Sequence, residues 1–454
     1  MKRARRAPFF VRVSALASTS HITLSERLQR IVRVRPDEVH AMLWSFAYFF
    51  CLLAAYYVLR PLRDEMGVAG GVKNLHWLFS ATFVVMLAAV PLFGAVVARL
   101  PRQRFIPLVY HFFAANIAIF WLLLWFGIAR IEVARVFFVW ISVFNLFAVS
   151  VFWSFMADVF NSEQGKRLFG FIAAGGSAGA LSGPILTVWL VGVIGPVNLL
   201  IIAGVLLEAA VVCARALERV VPQRGEVARP DVAAPRAPGA IGGHALSGFI
   251  LLVRSPYLAG IAFWVLLLSL TGTFLYFTQA NIVAAASDDP AVRTRIFASI
   301  DLAAGILTLA VQLLVTGRLI QRFGVGRAAA VLPLVFGVGF AALAAMPALA
   351  LVVAFQALQR TANFALSNPA REVLFTVVDR EEKYKAKYLI DGVVFRGGDA
   401  LSGWIFDMLR VAGLQLSSIA MLAVPIAAVW FALALGLGRA QERRARAEQG
   451  AARH

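Results

Sequence analysis

Between Arg360 and Gly403 the chain reads RTANFALSNPAREVLFTVVDREEKYKAKYLIDGVVFRGGDALSG. Arg360, Arg371 and Glu372 sit in one apolar run, with Asn368 and Pro369 among them. Asp391, Arg396 and Asp399 sit in the next run, across a charged loop. A charge held at bilayer depth costs roughly 2.5–3.5 kcal/mol on insertion scales. Six in two neighbouring segments therefore point to work done with charge. Guanidinium groups grip an anion through paired N–H donors, and carboxylates pair with them when the anion is absent, or carry a proton. The plainer alternative, that these pairs only pin helices together, stays open at this point.

The elements that must position these residues follow from composition. The 454-residue chain is 61% hydrophobic and 15% charged, with mean hydropathy +0.79, whereas a soluble domain averages about 45–50% apolar and 25% charged. This is a polytopic, all-α membrane protein. A net charge of +19 would suggest nucleic acid in a soluble protein. Here the basic residues fall in short loops and tails, so no nucleic-acid partner is expected.

Spanning takes about 20 apolar residues. Twelve runs qualify: 42–59, 75–98, 105–127, 134–157, 168–191, 196–216, 256–281, 297–319, 328–346, 349–375, 388–408 and 415–438. Residues 1–40 read as a basic tail, interrupted by Arg12 and so a poor signal peptide. Residues 41–216 and 249–438 read as two six-helix bundles, joined by a Pro/Gly/Ala/Arg-rich linker over 217–248, and 439–454 as a second basic tail. Among 43 Lys and Arg, three lie well inside apolar runs (Arg360, Arg371, Arg396), while Arg135, Arg215 and Arg318 fall within two residues of a run's end. Eight fall on one side: Arg60, Arg63, Lys73, Arg130, Arg135, Arg293, Arg295 and Arg410. The remainder share a side with both termini, which the positive-inside bias makes cytoplasmic.

The halves also look alike. Gly94, Arg99 and Arg104 follow the second run, and Gly317, Arg322 and Arg327 follow the eighth at the same offsets. Asp158, Lys166 and the ALSG at 180–183 answer Asp379, Lys387 and the ALSG at 400–403. Parallel repeats about a membrane-normal axis are the organisation of the major facilitator superfamily. The 317–327 loop resembles that superfamily's gating signature between helices two and three, with Gln321 and Ala98 where an acid is usual.

Other residues could serve a charge-moving device. The first run ends with Arg60, Arg63, Asp64 and Glu65; Arg60 and Asp64 are four apart and can pair on one helix face, unless Pro61 breaks the turn. Asp301 is a lone acid in the eighth run and, with Asp64 and Asp158, a candidate charge partner or proton carrier. Trp153, Tyr276 and Trp404 could stack a base. Gly175, Gly176, Gly179 and Gly183 suit close helix packing. Cys51 and Cys213 lie 162 residues apart in apolar runs and read as fillers. No Walker A motif, HExxH or paired CxxC is present, and the six histidines are scattered. An enzyme is not expected, nor any metal or cofactor.

A family resemblance joins these features. Pro369, Arg371, Glu372, Asp379, Lys383, Lys385, Lys387, Ile390, Asp391, Arg396 and Gly398 fall in step with a segment of the plastid- and rickettsia-type ATP/ADP translocases. VLRPLRDEMGV in the first run and FWSFMADVFNSEQGKRLFG at the fourth-to-fifth passage are also similar to that family. The resemblance implies a major-facilitator-like secondary transporter that exchanges nucleotides or a related phosphorylated anion by alternating access. A monomer in the inner membrane of a bacterial cell is expected. The residues themselves point to a cavity between the halves in which Arg60, Arg63, Arg360, Arg371 and Arg396 bind the substrate, with Glu372, Asp391 and Asp399 pairing with them when it is absent. The departures are Arg63 for a functional lysine, Ile141 and Tyr276 for intramembrane glutamates, and Asp399 for a late lysine. A proton-coupled carrier of a small organic anion is the alternative, with Asp301, Glu372 or Asp399 carrying the proton.

Overall fold

The computed structural model describes residues 34–99, 102–220 and 246–451. Most of both the basic N-terminal tail and the inter-bundle linker expected from sequence lies outside these residues, as do Leu100 and Pro101 of the first gating loop. Among the described residues all regular structure is helical. In chain order the long helices are α1 (Val39–Ala69), α2 (Leu75–Arg99), α3 (Arg102–Trp125), α4 (Arg130–Val159), α5 (Ser162–Ile194) and α6 (Leu199–Val220). They continue with α7 (Pro256–Ala286), α8 (Pro290–Leu319), α9 (Arg322–Ala345) and α10 (Leu349–Val377). The last two are α11, built from Arg380–Tyr388, Leu389–Val394 and Phe395–Val411, and α12 (Leu416–Ala451).

Eleven of these are long and apolar enough to cross a membrane, and the chain is an integral membrane protein. The sequence expectation was twelve. The difference is α11, whose Asp391, Arg396, Asp399 and Asp407 dilute its apolar stretch, although its later part packs along α2 and α7.

Helix starts follow local chemistry. Asn161 and Gln164 form a reciprocal capping box at the start of α5, with bonds of 2.8 and 3.1 Å. Asp289 caps α8 by accepting from the Ala291 amide at 2.8 Å, and Pro290 follows at the first helical position. Pro61 does not break α1, contrary to the sequence concern; the helix runs through it. Its ring does remove the bond to the Tyr57 carbonyl, which leaves a local weak point in an otherwise continuous rod. At the start of α9 the chain turns at Gly324, whose φ of 79° is open to glycine and strained for other residues.

Two apolar cores form. One draws on residues from Val34 to Leu217. The other draws on Leu252 to Leu437 and also takes in Val68, Leu75, Leu78 and Phe138. Across the seam between them, α5 and α1 pack on α8, and α2 packs on α11.

α1 and α5 meet through the small residues singled out in the sequence. A Cβ at Gly183 would sit 2.7 Å from Tyr57 Cβ and 2.8 Å from the Ala54 carbonyl oxygen, and one at Gly175 would strike the Phe46 backbone. These glycines serve close packing. Gly183→Ala should therefore lower stability by about 1–3 kcal/mol through overpacking. Gly170→Ala, where no atom lies within 4 Å of the added carbon, should be neutral. Thermal midpoints of the purified proteins in detergent compare the two directly.

Candidate functional site

At the seam a cavity of about 310 Å³ opens between four helices, two from each core. α1 contributes Phe49, Leu53, Tyr57 and Arg60. α5 contributes Ala173, Gly176, Ser177, Ala180 and Leu181. α8 contributes Asp301, Ala304, Gly305, Thr308, Leu309 and Gln312, and α10 contributes Arg360 and Phe364. Its charged lining is two arginines and one aspartate. Asp301, 3% exposed, binds Arg360 through Oδ1, and Arg60 Nη1 lies 3.6 Å from the same oxygen. Asp301 Oδ2 is buried without a hydrogen-bond partner among the described residues.

Two irregular helical turns shape this wall. α8 passes through a π-helical turn at Gln312–Thr316 and α10 through another at Asn363–Ser367. They are bonded to each other: Gln312 Nε2 donates to the Phe364 carbonyl at 3.3 Å, and Thr316 Oγ1 to the Ala365 carbonyl at 2.9 Å. A π turn leaves backbone groups off the regular ladder and recurs at functional positions. Here it puts Gln312 and Phe364 on the cavity one turn beyond Thr308 and Arg360. A third π turn, Leu389–Val394, carries Asp391.

Of the residues proposed from sequence for substrate, only Arg60 and Arg360 line the cavity. Arg63 instead lies over the Phe138 ring, 4.0 Å from its centroid, and pairs with Asp64 at 3.3 Å. The expected Arg60–Asp64 pair does not form: Arg60 turns to Asp301, and Asp64 accepts from the Tyr276 hydroxyl at 2.9 Å. Arg63, Arg396 and Asp399 border a separate pocket of about 10 Å³, room for roughly one water. Asp399 there accepts from Ser269 at 2.6 Å and Thr273 at 3.3 Å, with Arg396 at 3.7 Å. Arg371 pairs with Asp391 at 3.2 Å, and Glu372 with Lys387 at 2.6 Å rather than with an arginine. Both of these pairs lie outside the cavity.

Asp158 is exposed at the end of α4. Of the gating residues, Gly94 and Arg99 end α2 and Arg104 begins α3, with the side chains of Arg99 and Arg104 outside the described residues. Gly317 lies within helix, and Arg322 and Arg327 are exposed. Trp153, Tyr276 and Trp404 do not reach the cavity; Trp404 donates to Ser80 at 3.0 Å beside His76. Phe49, Tyr57 and Phe364 are the aromatic lining instead. Gly-Gly-Ser-Ala-Gly at 175–179 matches the letters of a hydrolase nucleophile elbow. It lies in mid-helix, without the strand-to-helix turn that exposes such a serine. Sequence reasoning passed over Gln312, Thr308 and Ser177. Their only signal was polarity within apolar runs.

The seam is held near the connections after α1, α7 and α11. Arg293 Nη2 meets Glu65 at 2.7 Å with both buried, His76 lies 3.6 Å from Asp407, and Tyr276 reaches Asp64. The cross-half contacts Arg60–Asp301, Tyr276–Asp64, Arg293–Glu65, His76–Asp407 and Trp404–Ser80 all lie at or beyond Arg60 in this direction. Removing Glu65 strands a buried guanidinium, so Glu65→Ala should cost about 3–5 kcal/mol. The double variant with Arg293→Ala should recover a good part of that. A thermal-denaturation double-mutant cycle measures the coupling, and strict additivity would refute it.

The family model described as "TLC ATP/ADP transporter" matches residues 135–439. No curated protein matches the chain. Among solved structures the fold is similar to the nucleoside transporter NupG, with TM-score 0.59 and 13% identity, covering 90% of this chain and 99% of that one. It is similar to an autoinhibited POT family peptide transporter, with TM-score 0.61 and 15% identity over 89% and 97% of the two chains. A bacterial homologue of ferroportin, inward-facing, gives TM-score 0.60 and 12% identity over 88% and 98%. These likenesses show that the chain shares the helical fold of these solved transporters.

Proposed function

This chain belongs to the TLC ATP/ADP transporter family, and from that premise we propose that this secondary membrane transporter exchanges nucleotides or related phosphorylated anions by alternating access. The cavity between α1, α5, α8 and α10 is the substrate site in this reading. The bundles are residues 41–216 and 249–438, and both termini face the cytoplasm from the inner membrane of a bacterial cell. α11 is the twelfth crossing, and its charges are tolerated because the helix packs on α2 and α7.

One observation carries the proposal: Arg60, from the first bundle, and Arg360, from the second, share the single carboxylate of Asp301. Arginine presents planar paired donors that fit two oxygens of a phosphate at once. Asp301 occupies that place while the site is empty. Rocking the bundles apart at this end separates Arg60 from Asp301 and strands a guanidinium in a poorly solvated wall. A bound anion offsets that cost by staying with Arg60 or Arg360 through the movement. An empty carrier then reorients slowly, and transport becomes exchange.

The proton-coupled reading retains one foothold, Asp399, held by Ser269 and Thr273 beside Arg396. Under that reading a pH gradient alone would drive uptake into empty vesicles.

Purified protein in liposomes preloaded with ATP, ADP, phosphate or nothing separates the two. Entry of labelled anion only into preloaded vesicles is the expected result. Arg360→Ala should reduce exchange by about a hundredfold, since losing a charged hydrogen-bonded contact costs roughly 2–5 kcal/mol. Arg371→Ala, outside the cavity, should leave the apparent affinity within about threefold, an effect smaller than one neutral hydrogen bond. Equal losses in both variants would remove the cavity from the substrate path.

A further inference from the structure

We infer that the cavity selects a solute with one phosphate or carboxylate group on an apolar or aromatic body, and discriminates against polyphosphates. This rests on reading the cavity as the substrate site and names what that site accepts.

Charge balance is the first support. Arg60, Arg360 and Asp301 leave the cavity with a single unit of excess positive charge. Among the described residues the lining holds no further cation, and five cations on the surrounding helices are already matched. Arg63 has Asp64, Arg293 has Glu65, Arg371 has Asp391, Lys387 has Glu372 and Arg396 has Asp399. A phosphate monoester carries about −1.5 to −2 at neutral pH. Two guanidiniums and one displaceable carboxylate can meet that charge. Each further phosphate group adds negative charge with no cation in the lining to receive it, and in a wall this apolar an unmatched charge is expensive.

Size and lining are the second support. At about 310 Å³ the cavity lies at the small end of ligand sites, which run from roughly 300 to 1,000 Å³. Away from the arginines its walls are mostly aliphatic or aromatic, with Phe49, Tyr57 and Phe364 as the rings. Such a wall contributes through contact with an apolar body. A flexible, heavily hydrated phosphate tail would gain nothing from it.

The test is self-exchange in liposomes, without magnesium, of labelled AMP, ADP and ATP, which share one base and differ in charge. AMP exchange should exceed ATP exchange by about tenfold or more, the scale on which one unmatched charge at close range acts. Unlabelled phenyl phosphate and benzoate then compete against AMP, and the stronger competitor shows which anionic group is favoured. Adenosine should not compete.

Asp301→Asn, which raises the cavity's excess by one charge, should shift the AMP-to-ADP ratio about tenfold toward ADP. The wild-type ratio decides the matter even if that variant does not fold. ADP or ATP exchanging as fast as AMP overturns the inference and leaves the exchange reading standing. Failure of every anion in the set to exchange removes the exchange reading, and this inference with it.

Discussion

One buried carboxylate shared by two guanidiniums is the constraint around which the rest of the molecule is arranged. Asp301 cannot be removed from between Arg60 and Arg360 without leaving like charges facing each other in an apolar wall. Neither arginine could stay there without it. Their helices belong to different cores, so the cluster is also a joint. The π turns at Gln312–Thr316 and Asn363–Ser367 are bonded to each other beside it, fixing α8 against α10 where Asp301 and Arg360 meet. Close α1–α5 packing at Gly183 and Gly175 does the same for the side that carries Arg60. Rigid partners on each side leave the seam itself as the place where motion is cheapest.

The seam is asymmetric. Cross-seam pairing concentrates near the connections after α1, α7 and α11, where Glu65 meets Arg293 and Trp404 bonds Ser80. Toward the other ends of these helices some charged contacts lie within one half. Glu38 joins Arg167 and Gln164, and Glu372 joins Lys387. The contacts around Glu65 and Trp404 combine a few ion pairs and hydrogen bonds with apolar packing, since the second core takes in Val68, Leu75, Leu78 and Phe138.

Composition and run length were enough to read the helices, because a spanning segment must be apolar whatever it packs against. The exception is instructive. Residues 388–408 read as a crossing, but Asp391, Arg396, Asp399 and Asp407 keep α11 below the apolar level that its eleven companions reach. The site was legible in its ingredients and not in its pairings. Arg60, Arg360 and Asp301 stood out as lone charges in apolar sequence. Helix-face spacing put Arg60 with Asp64; tertiary packing put it with Asp301, 241 residues away in the chain. Spacing rules describe one helix at a time, whereas a charge in a membrane pairs with whichever neighbour relieves it most. The π turns had no signature, since one extra residue per turn leaves composition untouched.

The departures from the resembling translocases now have local physical reasons. Tyr276 stands where that family has a glutamate, and its hydroxyl donates to Asp64. A carboxylate there would face Asp64 instead, two acids in one buried contact with Arg63 to serve both. Ile141 is fully buried among apolar side chains, where an acid would have neither water nor partner. Asp399, in place of a lysine, is held by Ser269, Thr273 and Arg396. A lysine at 399 would put a second cation beside Arg396 and give the two hydroxyls no carboxylate to satisfy. The exchanges at 276, 141 and 399 are therefore parts of one consistent electrostatic arrangement. Arg63, Arg293, Arg371, Lys387 and Arg396 each have a carboxylate partner, whereas Asp301 serves two arginines, and the excess charge is left in the cavity.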